Sequence, residues 1–400
     1  MPHADDNPYV PGFGIVPPAL TGREPEFADL ATALRRARRG SYERPRLLTG
    51  DRGMGKTAVL GELHAATRAD GCWVIDLEAS VSGDTIAVLL RELTRHLRGA
   101  RRDARVGAAV NAALATIASV TLAHTGLSVE VELAPRPGVA DSGDIAADLG
   151  DALIAAGQAA LESGTAIVVT VDEVQAMPAA QVSALFGALQ RLAKHDVDPT
   201  LGTRLPVICV VAGLPSSRAA LRAGAGTYAE RVREHVLDLL DDAAVTEALR
   251  TPAEDQGVAW SGDAITAALA GAAGYPFALQ LVGYETWAAA ALRGEDADLI
   301  TEADAAKGVA AARRELDRLH ASRLDEVPDT ERRYLQAVAR LDGTQRRSAV
   351  IAAELGGTAQ EWAWARARLI ERGLLRPDGH GRVAFTLPGL AEHLRAVEGT

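Results

Sequence analysis

The stretch "LLTGDRGMGKTAVL", residues 47–60, joins a short apolar run, a glycine-rich loop and a run with helical spacing. The loop matches the pattern GxxxxGK[ST] through Gly50, Gly55, Lys56 and Thr57. Glycines let successive backbone N–H groups turn inward around phosphate oxygens, and the helix that follows points its positive N-terminal end at the anion. The pattern predicts a phosphate-binding loop between a strand and a helix. The alternative is an ordinary glycine-rich turn.

The spacing within this loop gives its side chains separate roles. Lys56 is expected to reach the β- and γ-phosphates, in binding and in catalysis, and the hydroxyl of Thr57 to hold Mg²⁺. The predicted nucleotide contacts of the loop are Gly50, Asp51, Arg52, Gly53, Met54, Gly55, Lys56, Thr57 and Ala58.

A second motif, "TAIVVTVDEVQAM", supplies the carboxylates that such a loop requires. Its strand, Ile167 to Val171, has the apolar composition of a buried strand and ends in Asp172 and Glu173. Asp172 is expected to accept the Mg²⁺ shell through water, and Glu173 to orient and polarise the attacking water. Strands that end in two acidic residues are common. Together with the loop, however, this one predicts a site that binds and hydrolyses Mg²⁺–ATP.

These two motifs and the upstream segment "PPALTGREPEFADLATAL" resemble AAA+ ATPases, in particular the branch of origin-recognition-type initiators and the related STAND signalling ATPases. The resemblance implies that Gly22, Arg23 and Glu24 match a Gly-Arg-Glu element that precedes the loop. It also places Val16 and Pro17 near the adenine. The same "GRE" letters are also typical of a helix start with acidic residues in its first turn, and both interpretations are compatible.

The composition limits the remaining possibilities. Residues 241–324 carry 7 basic and 14 acidic side chains, residues 325–400 carry 11 of each, and no segment has the basic excess of an abundant DNA-coating protein. Cys72 and Cys209 lie in separate apolar runs and are expected to be reduced core thiols. No export signal opens the chain, and the apolar stretch Ala264–Tyr284 is broken by Pro276. We therefore expect a cytoplasmic protein without a membrane span.

The segment between the two nucleotide motifs contains further predicted elements. Residues 72–77 are expected to form a strand and residues 84–97 a helix, with Arg91, Arg95 and Arg98 opposite a leucine stripe. Initiator-like ATPases often carry a DNA-contacting element here, although such a stripe is more often a solvated helix face. Residues 119–133 alternate like a hairpin within an insertion of about 100–142, whose role the sequence does not indicate.

Two elements bear on hydrolysis. The predicted strand in "LPVICVVAGLPS", residues 205–216, ends at Ala212 and Gly213, where the resemblance implies a polar residue that senses the γ-phosphate. Its absence puts rapid hydrolysis in doubt, although Ser216 is close enough in sequence to contribute. Further on, Arg231, and less strongly Arg233, match the position of an arginine finger, which would act across a subunit contact and imply oligomers. The alternative for both is a surface ion pair.

The next segment is predicted to be helical. Asp241 or Asp242 is expected to cap one helix and Ser261 another, and Thr301 with Asp304 a third. Gly274 and Pro276 match a Gly-x-Pro motif of STAND-like ATPases, which implies that the proline lies against the nucleotide. The alternative is a helix start with proline in its first turn.

From Asp329 onward the pattern predicts three helices, a strand pair turned at Asp378 and Gly379, and a last helix, which is the outline of a winged-helix module. Such a module reads DNA by placing its third helix in the major groove, and Arg366 and Arg368 lie on that helix here. It also serves elsewhere as a protein docking unit or as a clamp on an ATPase core. Trp362 and Trp364 are expected to pack rather than to stack on bases.

The sequence thus predicts an α/β fold: a P-loop AAA+ core with a parallel sheet (residues 1–240), an all-α lid (241–324) and a C-terminal winged-helix domain (325–400). The expected ligands are ATP or ADP and Mg²⁺. The expected partners are DNA through the winged helix, and a second copy or another protein. The first functional hypothesis is an initiator-like or transposition-regulator-like ATPase. The alternatives are a STAND-type regulator held by ADP and a low-activity nucleotide-binding scaffold.

Overall fold

A computed structural model describes residues 4–12, 14–101, 106–124, 140, 142–195, 197, 203–294 and 298–398. The chain divides into two compact units. The first, here called the helical unit, combines Met1–Gly22, Gly50–Ala58 and Leu237–Thr400. The second, the sheet unit, combines Arg23–Thr49 and Val59–Val236. Each is described by itself.

The sheet unit is built on a parallel five-stranded sheet. Its strands are β1 (Arg46–Thr49), β2 (Trp73–Glu78), β3 (Ile167–Asp172), β4 (Val207–Gly213) and β5 (Arg233–Val236), in the spatial order β2-β3-β4-β1-β5. In β3 and β4 every residue is buried, as expected for apolar runs covered on both faces of a parallel sheet. The carboxyl ends of β1, β3 and β4 therefore lie at one edge of one sheet. The predicted α/β class and parallel sheet are confirmed.

The helices of this part of the chain are α1 (Glu24–Arg38), α2 (Lys56–Ala69), α3 (Thr85–Ala100), α4 (Gly107–His124), α5 (Ile145–Glu162), α6 (Ala179–Lys194) and α7 (Ser217–Ala225). Short 3₁₀ turns occupy Val174–Ala176 and Gly226–Arg231. The leucine stripe of α3 is buried in the core, while Arg91, Arg95 and Arg98 are exposed. The two faces of α3 thus follow the amphipathic pattern read from the sequence. Cys72 and Cys209 are buried free thiols.

Helix α4 corrects the predicted hairpin. Residues 119–124 are the last part of this helix, and residues 125–133 lie outside the described residues. The alternation near Ser119 gave a wrong prediction because small residues such as Ala and Ser fit buried and exposed positions alike, so their order does not distinguish a strand from a helix. In α4 ten positions are buried, including consecutive ones. By length and composition α4 is the one described helix that qualifies as a candidate membrane span. However, 56% of it is buried in the protein, a pattern that core helices share, so the evidence is weak.

The helical unit contains α8 (Asp242–Asp255), β6 (Ala259–Trp260), α9 (Gly262–Ala272), α10 (Pro276–Arg293), β7 (Leu299–Ile300) and α11 (Glu302–Asp325). The predicted caps are present: Asp241 accepts from the N–H of Ala244, and Thr301 with Asp304 forms a capping box. Ser261 caps α9. The predicted all-α lid differs only in the short parallel pair β6 and β7. One hydrophobic cluster, with Trp287 fully buried, holds these helices together.

The last segment forms α12 (Asp329–Arg340), α13 (Ser348–Glu354), α14 (Ala363–Glu371), the antiparallel pair β8 (Leu375–Pro377) and β9 (Val383–Phe385), and α15 (Leu390–Glu398). These elements follow the order expected of a winged helix, and that assignment stays a prediction. Trp362 packs against the local core, but Trp364 is 51% exposed, so the expectation that both tryptophans pack was wrong for Trp364. Trp362 precedes α14 as its cap residue, whereas Trp364 lies in the first turn of the helix on its exposed side.

Candidate functional site

The glycine loop follows the last residue of β1 directly and leads into α2, as the sequence predicts. The ammonium group of Lys56 lies 2.8 Å from the carbonyl oxygen of Gly50 and 3.0 Å from that of Asp51. Its side chain is buried, with 6% of the residue exposed. A buried cation on a loop of backbone amides is a ready receptor for phosphate oxygens.

Two glycines of the loop have left-handed backbones for different reasons. At Gly53 (φ +78°) a β-carbon would lie 2.2 Å from the hydroxyl of Tyr275, so the aromatic ring of Tyr275 occupies that side of the loop. At Gly55 (φ +86°) a β-carbon would meet no atom within 4 Å. The open space at Gly55 leaves room for a bound group, which fits a phosphate cradle.

Tyr275 was not selected from the sequence, although it stands inside the Gly-x-Pro motif. It is 2% exposed, and its hydroxyl donates a 3.2 Å hydrogen bond to the carbonyl oxygen of Arg52. Burial raises the pKa of this hydroxyl to about 12, so it acts as a neutral donor. The ring thereby ties the residue before Pro276 to the loop, and Pro276 itself is the first residue of α10.

Gly22 and Gly274, which the sequence predicts as nucleotide neighbours, share a contact with Leu240. A β-carbon on Gly22 (φ +68°) would lie 2.9 Å from the Leu240 side chain, and one on Gly274 (φ +73°) 2.5 Å from its carbonyl oxygen. The N–H of Leu240 donates a 2.8 Å hydrogen bond to the carbonyl oxygen of Gly274. Beside them, the Thr21 hydroxyl donates a 2.7 Å bond to the carbonyl oxygen of Ala244. Glycine is therefore favoured at both positions, by side chains packed close to Gly22, by a backbone oxygen close to Gly274, and by the left-handed backbone of each.

The segment expected beside the adenine is open to solvent. Val16 is 37% exposed and Pro17 is half-buried. Nearby in the same segment, a β-carbon on Gly14 would lie 3.7 Å from the Thr57 side chain, so this part of the chain passes close to the start of α2. Exposed apolar side chains next to the loop are compatible with stacking on a base.

Arg23 and Glu24 support the second interpretation of the "GRE" element. Arg23 occupies the cap position of α1, and Glu24 begins the helix with Pro25 in its first turn. The side chain of Arg23 is buried, with 6% of the residue exposed. The local role is that of a helix start, and its predicted nucleotide contact stays a prediction.

The loop also contacts the last segment of the chain. The Nε atom of Arg376, in β8, lies 3.1 Å from Oδ2 of Asp51. The other oxygen of Asp51 is buried without a hydrogen-bond partner. Burial raises the pKa of Asp51 to about 6, although the charge of Arg376 acts in the opposite direction. Sequence reasoning missed Arg376 because nothing local connects β8 to the loop.

In the sheet unit, Asp172 ends β3 and is buried, and its Oδ1 accepts a 2.8 Å hydrogen bond from the N–H of Glu173. Glu173 follows with a left-handed backbone (φ 52°, ψ 38°), which is uncommon for a residue other than glycine. Thr57 belongs to the helical unit and Asp172 to the sheet unit, so their joint Mg²⁺ site stays a prediction.

The end of β4 carries Ala212 and Gly213, as read from the sequence, and both are buried. Of the two serines that follow, Ser217 rather than Ser216 points to this edge: its hydroxyl donates a 3.0 Å hydrogen bond to the side chain of Gln175. Gln175 was not selected from the sequence. It stands two positions after Glu173, and its side chain bonds both Glu173 and the segment that follows β4.

The two finger candidates have different surroundings. Arg233 begins β5 and pairs with Asp29 at 2.6 Å, as a surface ion pair would. Arg231 ends a 3₁₀ turn, is exposed, and has its guanidinium carbon 5.9 Å from the centre of the Tyr228 ring. Arg231 therefore presents its charge to solvent, and Arg233 serves the contact between α1 and β5.

Comparison with known proteins agrees with this geometry. A family model described as "AAA ATPase domain" matches residues 19–211, and one described as "Domain of unknown function (DUF8462)" matches residues 317–394. No protein with curated annotation matches the sequence.

Among solved structures, the chain is similar to the Walker-type ATPase PABY2304 of Pyrococcus abyssi (16% identity, 94% of this chain and 96% of that chain covered, TM-score 0.57). It is also similar to the ADP form of the ORC2 protein of Aeropyrum pernix (15% identity, 96% and 97% covered, TM-score 0.55). At these identities the likeness concerns the fold alone.

Proposed function

We propose that this chain, whose residues 19–211 match a family model described as an AAA ATPase domain, is a switch that binds Mg²⁺–ATP and hydrolyses it slowly. The observation that carries the proposal is the loop itself: a buried Lys56 on backbone carbonyl oxygens beside a left-handed Gly55 with open space at its α-carbon. A phosphate chain fits this arrangement. The carbonyl contacts of Lys56 are of a kind that phosphate oxygens replace, because an anion binds an ammonium group more strongly than a neutral carbonyl does.

The chain's own residues divide the chemistry. Lys56 and the loop amides bind the phosphates, and Glu173 orients and polarises the attacking water. Mg²⁺, held by Thr57 and through water by Asp172, would neutralise phosphate charge. Because Ala212 and Gly213 offer no polar side chain at the end of β4, we expect turnover at the slow end of the range for such ATPases.

The loop's contacts explain how nucleotide would produce movement. Within the helical unit the loop touches Tyr275 before α10, and Asp51 touches Arg376 of the last segment. A phosphate group bound to the loop would add negative charge next to the Asp51–Arg376 pair. It would also change the packing of the loop against Tyr275. The proposal is that bound nucleotide thereby repositions the C-terminal segment, or forms a surface on which copies of the chain assemble.

A DNA-associated role, as in initiators or transposition regulators, is the first version of this proposal. It is supported by the winged-helix order of α12–α15 and by the exposed Arg368 and Trp364 on α14. Exposed aromatic and basic side chains on one helix suit contact with bases and phosphates. A cytoplasmic location and self-association belong to the same proposal.

The test is nucleotide binding and DNA binding in one titration series. We expect ATP and ADP to bind with Mg²⁺, slow turnover that Glu173→Gln lowers to a small residual rate, and a DNA gel shift that differs between ATP and ADP and weakens with salt. The matched variant, Glu162→Gln on the exposed end of α5, should keep turnover. Absence of any nucleotide binding would overturn the proposal.

A STAND-type regulator held by ADP is the second candidate. The contact between Asp51 and Arg376 favours it, because it connects the nucleotide loop directly to the C-terminal segment, as a closed state requires. In that case the purified protein should retain ADP. The DNA gel shift should then be the same with ATP as with ADP. Turnover unaffected by Glu173→Gln would instead remove the catalytic role assigned to Glu173.

A further inference from the structure

The side chain of Gln175 connects the acidic end of β3 to the end of β4. Its Nε2 donates a hydrogen bond to Oε2 of Glu173. Its Oε1 accepts from the N–H of Leu214 and from the hydroxyl of Ser217, both at 3.0 Å. The three partners therefore use both ends of a single amide, which fixes its orientation.

Gly213 leaves the space in which this amide lies. A β-carbon at this position would be 2.3 Å from Oε1 of Gln175 and 2.2 Å from Oγ of Ser217. Both distances are too short for any residue other than glycine to be accommodated without displacing the amide. Gly213 has no left-handed backbone, so the close approach is what requires glycine here. At position 213, a residue with a side chain and the amide of Gln175 in its present place are therefore mutually exclusive.

The amide also limits the freedom of Glu173. That residue has a left-handed backbone, which costs energy for a residue with a side chain and persists where surrounding contacts determine it. One carboxylate oxygen is occupied by a charge-assisted hydrogen bond from Gln175, and such bonds are stronger than neutral ones. Glu173 is therefore oriented by an amide that is itself held by the segment after β4.

We propose that Gln175 is a positioning residue of the hydrolysis site, acting through Glu173 in place of the polar side chain that Ala212 and Gly213 lack. This inference rests on the proposed function. A shift at the end of β4 moves Leu214 and Ser217, and the amide passes that shift to the carboxylate that orients water. The amide of Gln175 would then explain both why turnover is slow and why it depends on the position of the end of β4.

The experiment compares three variants. Gln175→Glu keeps the shape and the acceptor but replaces the donor by a second carboxylate, and Gln175→Asn keeps the amide but is one methylene shorter. Gly213→Ala displaces the amide from the other side. The matched control is Gln181→Glu, because Gln181 also bonds with both ends of its amide, to the N–H of Thr85 at 2.9 Å and the carbonyl oxygen of Gly83 at 3.0 Å.

We expect Gln175→Glu and Gly213→Ala to lower kcat at least tenfold, while the Kd for a non-hydrolysable ATP analogue changes less than twofold. Gln175→Asn should lie between them and the wild type. Gln181→Glu should keep kcat within twofold. In a Glu173→Gln background, Gln175→Glu should have no further effect on the residual turnover, because its effect passes through Glu173.

A second measurement does not depend on activity. Amide hydrogen exchange of the N–H of Leu214 should become at least tenfold faster in Gln175→Asn and should stay unchanged in Gln181→Glu. If the wild type hydrolyses ATP and Gln175→Glu keeps its kcat within twofold, this inference falls while the proposed function stands. If the wild type neither binds nor hydrolyses ATP, the proposed function falls, and the exchange result still reports the link between Gln175 and β4.

Discussion

The guanidinium group of Arg376, in the last strand pair, lies 3.1 Å from the carboxylate of Asp51 in the glycine loop. Asp51 has only 12% of its side chain exposed, while Arg376 has 40%. A half-exposed cation thus covers a nearly buried carboxylate at the position where phosphate is expected to bind. This pair joins the nucleotide loop to the far end of the chain.

Replacing Arg376 by alanine should loosen the last segment. The change leaves the carboxylate of Asp51 without its partner, and we expect a loss of about 1 kcal/mol in the free energy of unfolding, a value reduced for the solvent exposure of Arg376. Urea unfolding measures it. Arg368→Ala removes an exposed pair with Glu371 on α14 and should change stability by less than about 0.5 kcal/mol. Equal losses in the two variants would contradict the assignment.

The pH dependence of stability should change when Asp51 becomes asparagine. The folded pKa of about 6 lies above the ordinary 3.8, so the folded protein binds this proton more tightly than the unfolded chain. The resulting penalty grows as pH rises from 3.8 and is complete above about 6. It amounts to at most about 3 kcal/mol for a shift of about two units. Asp51→Asn should therefore stabilise the protein more at pH 7.5 than at pH 4.5 in urea titrations. A gain that does not depend on pH would argue against the ionised carboxylate.

Lys56→Ala should abolish nucleotide binding, because the loop loses its buried cation and the phosphate charge is no longer balanced. We expect at least a hundredfold increase in the Kd for ATP and ADP in a calorimetric titration. Lys307→Ala, on the exposed face of α11, is the matched control and should bind as the wild type does. Preserved affinity in Lys56→Ala would remove the loop from the site.

Arg231 and Arg233 should separate in their effects. If Arg231 acts as a finger, Arg231→Ala slows turnover at least tenfold without changing ATP affinity, and wild-type turnover per chain rises with protein concentration. Arg233→Ala breaks the pair with Asp29 and should instead lower stability by about 1 kcal/mol while turnover is kept. Unchanged turnover in Arg231→Ala would leave this arginine without a catalytic role.

Alanine substitutions at Gly274 and Gly257 separate the effect of a steric clash from the effect of backbone strain. Both glycines have φ +73°, so the backbone strain should be similar at the two positions. A β-carbon at Gly274 would lie 2.5 Å from the carbonyl oxygen of Leu240, whereas one at Gly257 would meet nothing within 4 Å. Gly257→Ala should cost about 1 kcal/mol for the left-handed backbone alone. Gly274→Ala should cost at least about 2 kcal/mol, since the β-carbon also displaces a backbone atom, and it should weaken ATP binding. Similar losses at both positions would show that the contact with Leu240 does not matter.

Some features were readable from the residues alone because their causes are local. The glycine loop needs residues without side chains at fixed positions, the buried strand β3 needs a continuous apolar run, and the caps at Asp241, Ser261 and Thr301 need an oxygen at one position before a helix. Each of these requirements is met by residues that are close together in the sequence, so a short stretch of sequence is enough to recognise it. Where the period was weak, as in the alanine-rich α4, the predicted first strand of a hairpin was wrong for residues 119–124, which are helical.

The sequence by itself therefore determined the α/β core, the glycine loop, Asp172 and Glu173, and most helix starts. Only the tertiary structure decided that Tyr275 lies against Gly53, that Gln175 joins Glu173 to the end of β4, and that Arg376 reaches Asp51. These contacts join segments that are far apart in the chain, and their partners are selected by packing and burial. No local spacing encodes them, because a hydrogen bond or ion pair depends on where the folded backbone places two groups and not on their separation in sequence.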